Sequence, residues 1–468
     1  MIATSSPASF GRNTLAPGTD EELAGPIVQP QPVKRQERIS SIDVLRGVSL
    51  LGILVLNIDD FSNVMSMHDI PVGTAFDSFS GPHAHINLAL MFLKWMFFEG
   101  KMRGIFSMLF GAGVILMTRR AEQRGAGAMV ADTYLRRNMW LVLFGILHFV
   151  FIWHGDILFD YGLAGLLFLY PFRRVNPRTL LLLGTLMIPL ATAGIFKYIG
   201  AFQDILLSHQ VPPIEARIQQ HLPLNPEDRA TIAEWQTRVD HHKTDHAKVQ
   251  KNIQEGLAGY WQQVSERFDV LTGPRFIIHV FIMSDTLSAM LIGMGLFQIG
   301  FLTAELSDST YIWTAIIGFA ISIPLYCFGL WHSYVHSFSF VTVEEWVYGP
   351  FYITRESGML AVTAVVMLIV KHRLFRFPQR LLAAVGKTAL SNYLLTSILC
   401  QFLCVWGPWK LFGRLEYYQS MYIVLAVWAF NLIASSIWLR HFEFGPFEWA
   451  WRSLTYWKRQ PMLIRERI

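Results

Sequence analysis

The sequence predicts an all-α membrane protein, a polytopic helical bundle of about ten transmembrane helices with a small extracytoplasmic helical cap. Of the 468 residues, 16% are charged, whereas soluble proteins average roughly 25%. Apolar runs of roughly sixteen or more residues recur along the chain, and this length is typical of membrane spans. The 15 Trp and 35 Phe residues suit lipid-facing surfaces and interfacial belts. The net charge of +5 is expected to lie in cytoplasmic loops. We therefore predict the lipid bilayer, and no nucleic acid, as a partner.

We interpret each apolar run as one span. The spans form an N-terminal bundle at residues 42–202 and a C-terminal bundle at residues 276–458. The individual spans are predicted at residues 42–60, 88–118, 138–154, 156–172, 179–199, 276–302, 310–331, 357–371, 383–406 and 421–440.

Three further segments are polar. Residues 1–41 are rich in Ser, Pro, Gly and Gln and predict a disordered cytoplasmic arm, and residues 459–468 are predicted to be a cytoplasmic tail. Residues 203–275 have mixed charge and predict an extracytoplasmic cap of two or three amphipathic helices. Within it, His242 and His246 are spaced to bind a metal on a helix face. A solvated face is the preferred interpretation, and no metal site is predicted.

The distribution of basic residues predicts the orientation of the spans. Residues 61–87 contain no Lys or Arg, whereas residues 119–137 contain five Arg residues. The first loop should therefore lie outside and the second inside. An even number of crossings, ten by this count, fits the alternation along the chain. We expect a multi-pass protein of the bacterial inner (cytoplasmic) membrane with both termini in the cytoplasm.

The second span carries charges in its middle, in Glu99-Gly100-Lys101-Met102-Arg103. Charges at this depth are costly unless protein or water surrounds them. We interpret residues 88–118 as a broken helix or re-entrant pair. The alternative is two short helices joined by a charged turn at a surface.

One face of the first span is polar. Asp43 and Arg46 are three residues apart and can pair. Asn57 follows Arg46 by eleven residues, which brings it to nearly the same face about 16 Å further along the axis. This face is expected to point into the bundle. Alternatively, Asp43 and Arg46 form an anchor at the membrane interface.

The third span contains His148, and Asp156 follows eight residues later. A histidine within a span is a functional candidate, because imidazole can exchange a proton near neutral pH. A nearby carboxylate could orient the ring and stabilise its charged form. The structural alternative is that His148 only forms a hydrogen bond to another helix.

Polar residues also lie in later spans. Asp285 is predicted near the middle of the sixth span, where a carboxylate needs a proton or a basic partner. Arg46 and Lys387 are both candidates for that partner. Lys387 could instead extend toward the membrane surface, and Asn392 is expected to point inward.

Several motifs resemble one family. Asp43-Val44-Leu45-Arg46-Gly47 with Asn57, Gly100-Lys101, His148 and Gly155-Asp156 resemble YeiB-type membrane proteins. That family carries a C-terminal domain of unknown function numbered 418. The similarity continues through Gly386-Lys387-Thr388-Ala389-Leu390-Ser391-Asn392-Tyr393 and Gly445-Pro446-Phe447-Glu448-Trp449 with Arg452.

More distantly, the Asp-x-x-Arg-Gly motif is similar to that of a superfamily of transmembrane acyltransferases. The superfamily includes the lysosomal heparan-glucosaminide acetyltransferase and bacterial polysaccharide O-acyltransferases. This resemblance implies transfer of an acyl group from cytoplasmic acyl-CoA to an acceptor across the membrane, with a histidine involved. In the heparan enzyme that histidine lies just after the first span. Here His83 and His85 precede the second span outside any copy of that motif, and His148 matches the YeiB pattern.

The leading hypothesis is acyl transfer to an extracytoplasmic or lipid-linked acceptor. His148 would act as general base and Asp156 would orient it. Asn57 would hydrogen-bond the acceptor or the developing oxyanion. The phosphates of CoA would be attracted by Arg46, Lys101 and Arg103. No permanently bound cofactor is predicted; acyl-CoA is the expected co-substrate and a lipid or glycan the expected acceptor.

Two other functions stay open. A polar path through Asp43, Arg46, His148 and Asp285 would also suit a proton-coupled transporter or exporter of a small solute, and broken helices build transport sites. A membrane sensor or assembly partner without turnover is the third hypothesis. Homo-oligomerisation is compatible with each of them.

Overall fold

The computed structural model describes residues 40–464 except 65–69, 71–78, 80, 128, 244–245 and 273–283. The predicted arm therefore lies almost entirely outside the described residues, as does the beginning of the predicted sixth span.

Across the described residues the secondary structure is helical, apart from one isolated bridge between Phe442 and Leu463. The helices are α1 (Ser40–Ser62), α2 (Ala84–Phe97), α3 (Lys101–Gln123), α4 (Met129–Phe151), α5 (Leu158–Phe172), α6 (Pro177–Ile199), α7 (Ala201–Gln219), α8 (Pro226–His242), α9 (His246–Gly256), α10 (Tyr260–Thr272), α11 (Ser284–Gln298), α12 (Asp308–Val335), α13 (Phe340–Val343, continued by a π-helical turn Glu344–Tyr348), α14 (Phe351–Lys371), α15 (Arg376–Lys387), α16 (Ala389–Trp406), α17 (Tyr417–His441) and α18 (Pro446–Tyr456).

The predicted all-α polytopic bundle is confirmed. Within the described parts of the chain, seven helical segments are long and apolar enough to cross a membrane, with α2 and α3 together forming one of them. The other three predicted spans correspond to α4, α5 and α11. Of these, α5 and the Thr286–Gln298 part of α11 are shorter apolar helices, and α4 begins with a charged stretch that includes Asp132 and Arg136.

Burial separates a central helix from peripheral ones. In α1, 78% of the 18-residue apolar stretch is buried inside the bundle. In the corresponding stretches of α12 and α17 the buried share is 22%. The outward residues of α12 and α17 include Trp313, Phe328 and Ile433. Large apolar side chains on an outer surface are expected where lipid replaces water as the solvent. Helix α1 is therefore the axis of the bundle.

The interruption between α2 and α3 lies inside the bundle. Gly100 has a φ of 68°, a left-handed conformation that glycine adopts at little cost. Lys101 is fully buried, and Met102 packs against Gly52 in the middle of α1. Lys94 pairs with Asp59 near the end of α1, so α2 and α3 run in one direction along α1. Residues 84–123 are thus a broken helix, and the alternative of a charged surface turn is not found.

Two glycines allow α1 and α15 to touch. A Cβ on Gly47 would collide with the backbone of Leu382, and one on Gly386 would collide with the backbone of Asp43. Small residues permit such close approach of helix backbones. This contact brings Lys387, at the end of α15, beside Asp43 and Arg46 at the start of α1.

The cap, residues 201–272, has four helices, more than the two or three that the sequence predicted. Gly200, with a φ of 79°, separates α7 from α6, and an Asn225–Asp228 capping box begins α8. The cap rests on the end of α4, where the Tyr260 hydroxyl donates to the Phe151 carbonyl at 3.0 Å.

Candidate functional site

A buried histidine and aspartate form a dyad between α4 and α5. His148 Nδ1 lies 2.7 Å from Asp156 Oδ2, and the exposed fractions of the two side chains are 0% and 1%. The second carboxylate oxygen of Asp156 accepts a hydrogen bond from the Phe159 amide at 2.7 Å, which satisfies a free N–H at the start of α5. The same carboxylate therefore orders the turn and orients the imidazole.

The lack of a side chain at Gly145 allows the α4–α5 turn to lie close to His148. Gly145 lies one helical turn before His148, and a Cβ there would come within 2.7 Å of Asp156 Oδ1 and collide with the Phe159 backbone. The α4–α5 turn can therefore pack against α4 only because residue 145 has no side chain.

The second ring nitrogen of His148, Nε2, can act as a proton acceptor. Nε2 has no hydrogen-bond partner among the described residues. The ring packs against Tyr393, with ring centroids 5.1 Å apart, and against Trp153 at 6.4 Å. When Nδ1–H donates to a carboxylate, Nε2 carries the lone pair and can accept a proton.

A cavity of about 240 Å³ lies beneath the dyad. Its walls come from α1, α3, α4, α5, α15, α16 and α18. We call the end of the bundle that contains it the basic end, because five cationic side chains line it: Arg46, Arg120, Arg137, Lys387 and Arg452.

Two carboxylates of the cavity are engaged by other groups. The predicted Asp43–Arg46 pair is present, with 3.2 Å between Nη1 and Oδ1. Glu448 accepts hydrogen bonds from the backbone amides of Leu390 at 2.6 Å and Ser391 at 3.1 Å. A carboxylate at the first turn of α16 is stabilised by the free amides and the helix dipole. The cationic side chains therefore outnumber the carboxylates in the cavity.

Two tyrosines separate the cavity from the dyad. Tyr161 and Tyr393 line the cavity. The Tyr393 hydroxyl lies 3.3 Å from the Gly155 carbonyl and 3.2 Å from the Ile157 amide, while its ring packs against His148. Along α4, eleven residues separate Arg137 from His148, or about 16 Å. One layer of side chains therefore divides the basic cavity from a buried proton acceptor.

Comparison with known proteins identifies relatives of the chain. The family described as "Protein of unknown function (DUF418)" matches residues 296–458. The chain is 28% identical to "Uncharacterized protein YxaH" of Bacillus subtilis, over 94% of this chain and 99% of that protein. It is also 28% identical to "Uncharacterized protein YeiB" of Escherichia coli, over 90% of this chain and 96% of that protein. The chain is therefore similar to YeiB-type proteins along most of its length. No solved structure matches it.

The site extends beyond the matched domain. Lys387, Tyr393 and Glu448 lie within residues 296–458, whereas Arg46 and the dyad lie before them. The full-length relatives cover both parts. The DUF418 region thus supplies about half of the cavity wall, and the N-terminal bundle supplies the dyad.

Two predicted phosphate-binding residues, Lys101 and Arg103, do not line the cavity, so the structure does not bring them together with Arg46. Lys101 Nζ donates to the Trp95 carbonyl at 3.0 Å and lies 4.2 Å from the Tyr326 ring centroid. Arg103 has an exposed side chain on another face of α3. The face of α3 that lines the cavity begins at Phe106, because successive helical residues are rotated by about 100°.

Two other predicted residues lie elsewhere, and the side chain of a third is not described. Asn392 is buried between α16 and α17, where its amide donates to Ser435 at 2.8 Å, so it joins helices and does not line the cavity. Asn57 is half-buried, one turn before Phe61, whose ring lies 4.2 Å from that of Trp153. The side chain of Asp285 lies outside the described residues, so its predicted partner stays untested.

A second charged cluster lies around the break between α2 and α3. It consists of the Lys94–Asp59 and Arg355–Glu356 pairs together with Lys101, and all five residues are buried. Of these five residues, the sequence pattern indicated only Lys101. The signal for the others was weak, because Asp59 and Lys94 stand near the ends of predicted spans and Arg355–Glu356 immediately precede one.

Proposed function

We propose that this chain transfers an acyl group from cytoplasmic acyl-CoA to an extracytoplasmic or lipid-linked acceptor. The observation that carries the proposal is the buried His148–Asp156 dyad, one side-chain layer away from a cavity lined by five cations.

The cavity suits a phosphate-rich co-substrate. Guanidinium groups bind phosphate oxygens with paired, charge-assisted hydrogen bonds. Basic residues favour the cytoplasmic side of the membrane, so we orient the basic end and both termini toward the cytoplasm of a bacterial inner membrane. Acyl-CoA would then enter from the compartment that contains it, with its thioester directed toward Tyr393.

The dyad suits the chemical step. His148 Nε2 would remove the proton of an acceptor hydroxyl as its oxygen forms a bond to the acyl carbon, and Asp156 would stabilise the resulting imidazolium. The tetrahedral intermediate would break its C–S bond, and the imidazolium would return the proton to the CoA thiolate. Atoms and charge balance without any other reactant.

The test uses purified full-length protein in lipid nanodiscs with radiolabelled acetyl-CoA and a membrane extract as the source of acceptor. We expect His148→Gln to reduce label transfer by about 10²–10⁴-fold and to leave CoA binding unchanged. The control is His209→Gln, at an exposed histidine of the cap. Transfer that survives His148→Gln would remove His148 from the mechanism. Absence of binding to any acyl-CoA would exclude the whole class.

One observation favours a proton-coupled transporter as the second candidate. The second charged cluster places two ion pairs in the bundle interior, and buried charges within a membrane often mark ion or proton pathways. Proton flux into liposomes that is abolished by Lys94→Met or Asp285→Asn, together with absence of acyl transfer, would favour this function over the first.

A further inference from the structure

Three side chains with metal-binding atoms meet where the cap joins the bundle. Asp204 lies on α7, His242 ends α8, and Glu344 begins the π-helical turn after α13. His242 Nε2 is 3.3 Å from Asp204 Oδ2 and 3.9 Å from Glu344 Oε1. One ligand atom from each residue lies within 4.8 Å of the other two.

The two carboxylates are buried and incompletely satisfied. Asp204 is fully buried and Glu344 is 4% exposed, and Glu344 Oε2 has no hydrogen-bond partner among the described residues. Burying an unsatisfied carboxylate is costly, and two adjacent carboxylates also repel each other. This arrangement needs a positive charge or a proton.

The protein cations nearby supply part of that charge. Arg238 Nη1 lies 3.0 Å from Asp204 Oδ1. His242 Nε2 lies within 3.9 Å of an oxygen of each carboxyl group. One guanidinium therefore faces two carboxyl groups, and the imidazole nitrogen beside them can bind a metal in its neutral form.

We propose that Asp204, His242 and Glu344 bind a divalent transition-metal ion such as Zn²⁺, which links the cap to the transmembrane bundle. One imidazole nitrogen and two carboxylate oxygens are ligands that Zn²⁺ commonly takes, with water completing the shell. Ligand atoms bonded to tetrahedral Zn²⁺ lie about 3.3 Å apart. The His242–Asp204 separation of 3.3 Å already fits, whereas the His242–Glu344 separation of 3.9 Å must shorten, and all three ligand atoms already lie within 4.8 Å of one another.

The surroundings of the three ligands fit this role. The His242 ring stacks on Phe340, with centroids 4.3 Å apart and planes at 10°, which fixes its orientation. Arg238 holds the Asp204 oxygen that faces away from His242, as outer-shell partners of metal ligands do. The site does not include the His148–Asp156 dyad, and it does not depend on the function proposed above.

The first experiment measures metal content. Full-length protein in nanodiscs is stripped with a chelator, dialysed against micromolar Zn²⁺ and analysed by mass spectrometry of the metal. We expect one tightly bound ion per chain, and at least 100-fold weaker binding in Glu344→Gln. The matched control is Asp228→Asn, another cap carboxylate, which pairs with Arg217 at 2.6 Å. Equal Zn²⁺ retention by both variants, or retention by neither variant nor the wild type, would overturn the proposal.

A second experiment exchanges one ligand for another instead of removing it. With Co²⁺ in place of Zn²⁺, the wild type should show visible ligand-field bands. A folded His242→Cys variant should gain a sulfur-to-cobalt charge-transfer band that the wild type, with its three native cysteines, lacks. No ligand-field band in the wild type, or a Co²⁺ spectrum unchanged in His242→Cys, would show that the three residues share a proton and bind no metal.

Discussion

The bundle buries charge in two ways, and the difference separates reactive groups from structural ones. In the second charged cluster, each acid lies against a permanent cation, as in the Lys94–Asp59 and Arg355–Glu356 pairs. In the dyad, the partner of Asp156 is a histidine, and its second nitrogen is unbonded among the described residues and packs against Tyr393. If the chain transfers acyl groups, the charged partners of each ion pair keep their protonation states, whereas a histidine held by a carboxylate accepts a proton and returns it. We therefore expect mutations to affect activity at the dyad and stability at the ion pairs.

The largest effect is expected at Asp156. Asp156→Asn keeps the shape of the side chain but cannot stabilise an imidazolium or fix the reactive tautomer, so acyl transfer should fall by about 10³–10⁴-fold. CoA affinity, measured by calorimetry on the same sample, should not change. A fall in thermal stability that accounts for the lost activity would mean that the dyad is structural, and the comparison would fail.

The ion pairs should show the opposite behaviour. Lys94→Met leaves Asp59 charged and buried, and the expected loss of unfolding free energy is about 3–5 kcal/mol. The double variant Lys94→Met with Asp59→Leu removes both charges and should recover most of that loss. Thermal unfolding in detergent, followed by tryptophan fluorescence, measures both. No recovery in the double variant would contradict a structural ion pair.

Gly145 tests whether the packing of the α4–α5 turn supports the dyad. Gly145→Ala should cost about 1–3 kcal/mol, because the new methyl group overlaps Asp156 and Phe159, and acyl transfer should fall with it. Gly194→Ala is the control, since a Cβ at that position of α6 meets no atom within 4 Å. Unfolding temperatures that shift equally in the two variants would show that the close contact at Gly145 has no consequence.

The smallest effect is expected in the cavity. Arg452→Gln removes one of five cations and should weaken CoA binding by about tenfold, since a hydrogen bond to a charged group contributes about 1.5 kcal/mol. The loss should shrink as salt is raised. Arg217→Gln, in the cap, is the charge-matched control. Equal CoA affinities of the two variants at low salt would place the phosphates elsewhere.

The sequence predicted what is local along the chain. His148 and Asp156 are eight residues apart within and after one apolar run, and Asp43 and Arg46 share one helix face. The short separation along the chain predicted both pairs, and helix geometry supported the pairing of Asp43 with Arg46. The face that α3 turns toward the cavity could not be predicted in this way, because the left-handed Gly100 breaks the helix and changes which side of α3 faces the cavity.

Contacts between distant segments could not be predicted either. The sequence indicated His242 only through its spacing from His246. His246 belongs to the next helix, and its side chain lies outside the described residues. Its partners are Asp204 and Glu344, which are 38 and 102 residues away along the chain. A periodic pattern within one segment cannot reveal contacts between residues so far apart along the chain.

The hydrogen bonds of Glu448 position one wall of the cavity. Glu448 holds the first turn of α18 to the start of α16, and further along α18 the cavity is lined by Trp451, Arg452, Thr455 and Tyr456. A small rotation of α18 about this attachment would move those four side chains together. The Trp451 indole also donates to the Arg137 carbonyl on α4 at 2.9 Å, so two attachments, one to α16 and one to α4, together hold this wall of the cavity in place.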